Sequence, residues 1–478
     1  MSAYDDGTYW MEVTLQGGSG RAGVASPAEV HVQNGEMKAV LVWSSSNYDR
    51  MTVDGTDYEP TALEPGSTFE IPVKADCEME VTAETLAMST PHEIAYTLFF
   101  DSTTMTAESP EAEQKQDEEP SQQPSWQHEP LPEIAGHAYE GSMELQYAHE
   151  FAIDRYEGGY QLIATAAGAG FLVIPEGAEK PETDIPVLQQ PLTDIYLAAT
   201  SAICLFDALD ALDAIALSGT RAEDWAIEGA RLAMEDGRIR YAGKYSEPDY
   251  ELILASGCRL AVESAMIYHK PEVKEKLEEL GIPVLIDYSS YETHPLGRTE
   301  WMKVYGVLTG KEAEADELFR KQAEKLESIS AEEKTGKVAA FFYISQTGGY
   351  AVVRKAGDYV TKMIELAGGS YIFANAGGSG NLAASASRLT MEAFYAAAKD
   401  ADIVIYNSTI SGELHTMEEF LGLHELLGDF RAVQAGEVWC TNANLYQDTM
   451  HLGTVTEELH RIFSGTAEDE MQFLHRLN

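Results

Sequence analysis

What this chain lacks narrows its role before any motif is read. Across 478 residues it is short of positive charge: 32 Lys and Arg stand against 79 Asp and Glu, a formal net charge of −47. Such a surface repels nucleic-acid phosphates and anionic lipid headgroups, which argues against nucleic acid or direct membrane contact. No apolar run of about 18 residues occurs, so no segment is suited to cross a bilayer as a helix. The start, Met1-Ser2-Ala3-Tyr4, has neither the basic segment nor the apolar core of an export signal. That leaves a cytoplasmic protein or one that begins after a removed signal. Cysteine is scarce, and Cys77, Cys204, Cys258 and Cys440 share no CxxC or regular spacing. They read as small buried residues, not as a disulfide framework or a zinc site. Catalytic signatures are missing too: there is no GxSxG, HExxH, Walker lysine loop or GxGxxG. The Gly-rich stretches at 17–20 and 377–380 lack a Lys-Ser/Thr ending and read as loops. No enzyme is expected.

What is present divides the chain. Residues 1–106 alternate apolar and polar positions, as in Tyr9, Met11, Val13, Leu15 and again in Ile94, Tyr96, Leu98, Phe100. Period two is the mark of strands with one buried face. With Asn34-Gly35 and Asp54-Gly55 as hairpin turns, about seven short strands suggest an all-β sandwich. From 107 to 137 the composition turns to Glu, Gln and Pro (EAEQKQDEEPSQQPSWQHEPLPE), an acidic linker that cannot bury enough apolar surface to fold. After a short β-rich passage with Leu145–Tyr147 as its first strand, strand and helix signals alternate. Ile195–Leu197, Ile215–Leu217, Leu260–Val262 and Val284–Ile286 are short apolar runs with helical patterns between them. This is the signature of parallel βαβ units, and it recurs after residue 337. The expected fold is therefore α/β: an N-terminal lobe over 138–293, a long helix over 294–330, and a C-terminal lobe over 331–478. On that helix Trp301, Val304, Tyr305 and Leu308 form a buried stripe, and Gly306 and Gly310 interrupt its helical composition.

The segment YETHPLGRTEWMKVYGVLTGKEAEADELF, Tyr291 to Phe319, resembles the lobe-spanning helix of substrate-binding proteins of ABC importers in the siderophore, haem and cobalamin class. The resemblance covers about residues 138–478. It implies an extracytoplasmic, membrane-anchored receptor that delivers its ligand to a permease and its ATPase. Two further stretches, DYELILASGCRLAVES and LTMEAFYAAAKDADIVIYN, resemble the family's paired docking motifs, which makes Glu251 and Glu392 the implied contacts to the permease. The N-terminal stretch Ser26–Asp54 resembles the near-iron-transporter (NEAT) haem-binding domain. Where that family carries Tyr-x-x-x-Tyr, this chain has His92-Glu93-Ile94-Ala95-Tyr96, so His92 is the implied haem ligand with Tyr96 behind it.

Ligands of parallel sheets lie beyond the carboxyl ends of the strands. Those loops carry Ser201, Ser218, Tyr245, Met266, Tyr268, His269 and Tyr291 in the first lobe. In the second they carry Gln346, Tyr350, Arg354, Tyr406, Asn407, Trp439, Asn442 and Tyr446. So many aromatics suit a large, flat ligand with a polar rim, such as haem, a ferric siderophore or a corrinoid. Arg298 and Arg354 could pair with carboxylates on it. His269, His294, His415 and His451 are too dispersed for a bare metal ion. The competing reading is a cell-surface scavenging or adhesion protein with no transporter partner.

Overall fold

The computed structural model describes residues 7–17, 23–33, 36–43, 48–53, 55–62, 67–85, 92–106, 126, 128–168, 170–330, 334–345, 349–374, 386–409 and 412–478. The chain forms two compact units, Met1–Gln123 and Pro124–Asn478.

The first unit is all antiparallel β: β1 (Gly7–Gly17), β2 (Ala28–Gln33), β3 (Glu36–Val42), β4 (Tyr48–Val53), β5 (Thr56–Tyr58), β6 (Thr68–Val73), β7 (Glu78–Thr85) and β8 (His92–Thr106). They make one continuous sheet in the order β5-β4-β7-β8-β1-β2-β3-β6. The sheet curls until β6 lies beside β4 and β5, so the unit is barrel-like rather than a sandwich of separate sheets. The alternation does what period two requires, sending Met11, Val13, Val30, Leu41, Phe69, Ile71, Val81, Leu98 and Phe100 into a single core.

The second unit begins before the end of the expected linker. Trp126 stacks on His128, whose ring bonds the buried Asp154 at 2.6 Å. β9 (Glu133–Ile134), β10 (His137–Ser142), β11 (Phe151–Tyr156), β12 (Tyr160–Thr165), β13 (Gly170–Ile174) and β14 (Val187–Gln189) form a small, mostly antiparallel sheet. Leu145–Tyr147 is not a strand. The amides of Gln146 and Tyr147 are taken by a distant carboxylate, described below.

The first lobe is built on a fully parallel sheet in the order β17-β16-β15-β18-β19. Its strands are β15 (Ile195–Leu197), β16 (Ile215–Ser218), β17 (Arg240–Tyr241), β18 (Leu260–Ser264) and β19 (Val284–Asp287). They alternate with α1 (Ile203–Ala208), α2 (Glu228–Glu235), α3 (Tyr250–Ala255) and α4 (Pro271–Glu279). Helices cover both faces, so these strands are near-continuous apolar runs.

The expected long helix is three: α5 (Pro295–Glu300), α6 (Met302–Thr309) and α7 (Glu312–Ser330). Gly310 breaks it at φ +71, a left-handed cap that glycine adopts without strain. The chain then turns so that a Cβ on Gly306 would stand 2.8 Å from that of Ala315. The lobes are spanned by α7 alone, 19 residues or about 28 Å. Ala315, Phe319, Ala323 and Leu326 enter the first lobe's core, while Lys325 bonds Thr454 in the second lobe.

The second lobe carries β20 (Val338–Ser345), β21 (Tyr350–Arg354), β22 (Ser370–Tyr371), β23 (Ala386–Thr390), β24 (Ile403–Tyr406), β25 (Val438–Thr441) and β26 (Leu474–Arg476). Its helices are α8 (Tyr359–Leu366), α9 (Met391–Ala398), α10 (Met417–Leu421), α11 (Arg431–Ala435) and α12 (Leu452–Ser464). The sheet is parallel at its centre, where β22, β24 and β25 run with β20, and antiparallel at the edges β21–β23 and β26. The α12 helix lies directly on α7: a Cβ on Gly453 would meet Gln322 Oε1 at 2.7 Å and its carbonyl oxygen at 3.0 Å.

Candidate ligand-binding cleft

Two parallel-centred sheets joined by α7 direct attention to their carboxyl ends. Beyond β18, Ser264 accepts from the Met266 amide and starts a tight turn over Ala265–His269. Beyond β19, Asp287 accepts from Ser289 and from the buried Tyr305 hydroxyl, fixing a second turn over Ser289–Tyr291. The turns bring three tyrosine side chains together. Tyr288 donates to the Tyr268 hydroxyl at 2.8 Å and stacks on Tyr291 with centroids 4.8 Å apart. Met266, Tyr268 and Tyr291 are 48%, 46% and 39% exposed, three of the most exposed large apolar residues among those described. Burial, followed by the bond to Tyr268, holds the Tyr288 phenol above its ordinary pKa. Tyr288 was missed in the sequence; the i, i+3 aromatic pair just past a strand end was its signal.

The neighbouring loop between β10 and β11 is fastened by two buried carboxylates. Glu300 accepts from the amides of Gln146, Tyr147 and Ala148, and from Lys303 Nζ at 2.9 Å. Glu292 accepts from the amides of His149 and Glu150 and from Trp301 Nε1. Burial pushes Glu292 up to about 7, and its N–H donors pull the other way. The clamp sets Glu150 within electrostatic range of Tyr288. It also stacks Tyr147 on His294 at 4.5 Å. His294 caps α5 by accepting the Leu296 amide, and burial, with Lys362 and His149 nearby, holds it down at about 4.

Seven residues after Tyr291, on α5, Arg298 is 7% exposed and lies over the Tyr359 ring at 4.1 Å. It does not pair with nearby Glu300, which is already fully engaged. On the second lobe Arg354 donates to the Tyr446 hydroxyl at 2.9 Å and pairs with Asp358 at 3.5 Å. Asp358 caps α8 through the Val360 amide, and burial raises its carboxyl against the pull of Arg354 and Arg298. The structure thus gathers Arg298, Arg354 and Tyr446 around Asp358 and Tyr359, and the last two were not singled out in the sequence.

Other expected contacts lie elsewhere. Tyr406 and Trp439 are wholly inside the second lobe's core, because all four residues of β24 and of the neighbouring β25 are covered on both faces. Asn407 is buried and holds Thr409 through its own carbonyl. Asn442 bonds the backbone of Met471 and Gln472, and Ser218 closes a turn onto Thr220. Ser201 accepts from Thr449 at 2.8 Å, where the lobes meet, beside Gln447 bridging Asp224 and Ala226. Tyr245 and Tyr350 are half-buried in or next to turns. Gln346 lies outside the described residues, and for His269 only the backbone is described. Of the cysteines, Cys204 and Cys440 are buried, whereas Cys77 and Cys258 are partly exposed. No three His, Cys, Asp or Glu converge on a metal position among the described residues.

Glu251 and Glu392 are both exposed in the first turns of their helices, capped by Asp249 and Thr390. In the first unit, Tyr96 points into the core, its hydroxyl 2.9 Å from that of Tyr48 and its ring against Trp43. For His92 only the backbone is described, opposite Thr85 at the start of β8.

A family model described as periplasmic binding protein matches residues 231–445, from α2 through the end of β25. An uncharacterised lipoprotein of Methanocaldococcus jannaschii is 28% identical over 334 residues, 65% of this chain and 77% of that protein. A second from the same organism is 25% identical, over 63% of this chain and 78% of its own length. Among solved structures, a periplasmic binding protein of Veillonella parvula aligns with TM-score 0.48 and 15% identity, covering 58% of this chain and 93% of that one. The periplasmic haem-binding protein HutB of Vibrio cholerae aligns with TM-score 0.45 and 15% identity, covering 55% and 97%. What the sequence joins to these proteins is a two-lobed α/β unit whose central segment, residues 231–445, matches the periplasmic binding protein family.

Proposed function

We propose that the second unit is the solute-binding component of an ABC importer, working outside the cytoplasmic membrane. It takes an iron complex, haem or a related tetrapyrrole between its lobes. The observation that carries this is the cluster of Tyr268, Tyr288 and Tyr291 at the carboxyl ends of two parallel strands, with Tyr268, Tyr291 and the adjacent loop residue Met266 exposed. A flat, partly apolar ligand covers such a surface and removes it from water. The match of residues 231–445 to a family of binding proteins, and the lipoprotein relatives, support the same reading. Glu251 and Glu392 are the contacts to a permease and its ATPase: two fixed charges on separate lobes set orientation and speed encounter. The first unit, with His92 as its candidate haem ligand, is a second capture module.

Titration of the full chain with haem, cobalamin and ferric siderophores, followed by absorbance and tryptophan quenching, tests this. At least one should give a saturable response that Tyr288→Ala with Tyr291→Ala weakens. If none saturates, the receptor reading fails.

A further inference from the structure

A strand residue directs its backbone N–H and C=O to one side, and the next residue directs them to the other. At a sheet edge, half of those groups therefore face away from the sheet. β14 is such an edge, bonded to β13 alone. Leu172 donates to the Pro186 carbonyl and Gln190 to that of Ile174, both at 2.9 Å, so residues 186, 188 and 190 face β13. The backbone groups of Val187 and Gln189 point outward. Proteins commonly blunt an open edge with a proline or a charged side chain on the strand. Here Pro186 belongs to the inward set, where its missing N–H blunts nothing, and the outward pair carries no charge.

Val187 and Gln189, both half-buried, line a groove of about 870 Å³, the size of a binding site and not of a packing gap. Its opposite wall is β19, the edge strand of the first lobe's sheet, through Val284 and Ile286. Ile174, Leu188 and Ile282 extend the apolar lining. The charged residues that line it are Lys180, Arg259 and Lys274 against a single acid, Glu278. Lys274 is spent on Glu278 at 2.6 Å. Lys180 and Arg259 are exposed and make no ion pair among the described residues. Surplus positive charge here runs against the −47 of the whole chain. Arg259 and Pro283 precede β18 and β19, so the groove lies toward the amino ends of these strands, away from the candidate cleft at their carboxyl ends.

We infer that this groove docks an extended, acidic peptide segment of a partner protein, which adds to β14 as a further strand. Another strand presents N–H and C=O groups at the repeat that Val187 and Gln189 set, two residues or ~6.6 Å. Alternate apolar side chains on it pack toward the β19 wall, and its carboxylates answer Lys180 and Arg259. The inference does not depend on what the cleft holds.

The test uses the full chain and two variants, Val187→Pro and the double reversal Lys180→Glu with Arg259→Glu. The proline deletes one outward N–H and leaves the bonds to β13 in place; the double reversal leaves the backbone untouched. A displayed library of random peptides of about eight residues is selected on the full chain, and enriched sequences are synthesised and titrated by fluorescence anisotropy. They should carry acids beside alternating apolar residues, slow hydrogen exchange at Val187 and Gln189, and bind each variant about five- to tenfold more weakly. If Val187→Pro does not fold, the double reversal and the exchange data decide alone. No enrichment, peptides indifferent to the variants, or binding without protection of those two amides overturns the proposal. Palmitate protecting the same amides as strongly as any peptide would assign the groove to an amphiphile. Dimerisation abolished by Val187→Pro would assign the edge to a second copy. Either result overturns the peptide partner.

Discussion

Replacing Glu300 by alanine isolates what holds the loop beside the aromatic cluster. The Glu300 carboxylate is fully buried and accepts from three consecutive amides, those of Gln146, Tyr147 and Ala148, at 2.8–3.1 Å. It also pairs with Lys303, whose side chain is 7% exposed. Its loss strands three amide protons and an ammonium group whose remaining partners are the Glu144 carbonyl at 3.3 Å and an exposed Asp316 at 3.7 Å. Breaking a buried pair from one side costs about 3–5 kcal/mol. For a unit of roughly 350 residues, the usual unfolding entropy of about 2.1 cal/mol/K per residue converts this to a drop of about 4–7 °C. Differential scanning calorimetry of the full chain reads it directly, and only the transition of the second unit should move. Glu300→Gln, which keeps an acceptor but loses the charge, should fall between. The reasoning is refuted if Glu300→Ala melts within about 1 °C of the wild type, or if its loss appears in the first unit.

Glu263 gives a pH signature. Burial raises its carboxyl from an ordinary 4.5 to about 8, so between those values the folded protein holds a proton that the unfolded chain releases. Stability should fall as pH rises through that window, and Glu263→Gln should flatten the fall; its melting temperature should exceed the wild type's at pH ~8.5 and match it near pH ~4.5. Charge reversal of Glu251 and Glu392 to Lys should leave ligand affinity unchanged while slowing uptake through a reconstituted permease by about tenfold or more; undiminished uptake would favour a scavenger without a transporter. At Gly453, valine would force α12 away from Gln322 on α7, a destabilisation of about 1–3 kcal/mol measurable by thermal unfolding, whereas an unaffected protein would show that this helix contact is slack. In the first unit, Tyr96→Phe should cost about 1 kcal/mol by deleting the buried bond to Tyr48, with no change in any haem response.

Much of the α/β framework was legible because its determinants are local. Short apolar runs such as Val284–Asp287 sit between a helix ending at a glycine and a polar turn, and Glu251 and Glu392 both follow side chains that cap their helices. The helix break was written in Gly310. What escaped was non-local. Leu145–Tyr147 looks like a strand because nothing nearby shows that Glu300, some 150 residues on, claims its amides. Tyr406 and Trp439 stand at strand ends, yet a strand covered on both faces turns neither face to a cleft. β21 pairs antiparallel with β20 because it returns beside it within a few residues, too short a connection for a parallel crossover. From the sequence Arg298 reads as a ligand contact; that it leaves nearby Glu300 follows only from Glu300 being spent on the loop and on Lys303.

Hydrogen–deuterium exchange on the full chain, with and without a saturating probe from the ligand panel, tests most directly whether a guest sits between the lobes. Slowed exchange should appear together in 264–269, 288–298 and 350–359. Protection confined to the first hundred or so residues, or absent from those three segments, would contradict the account.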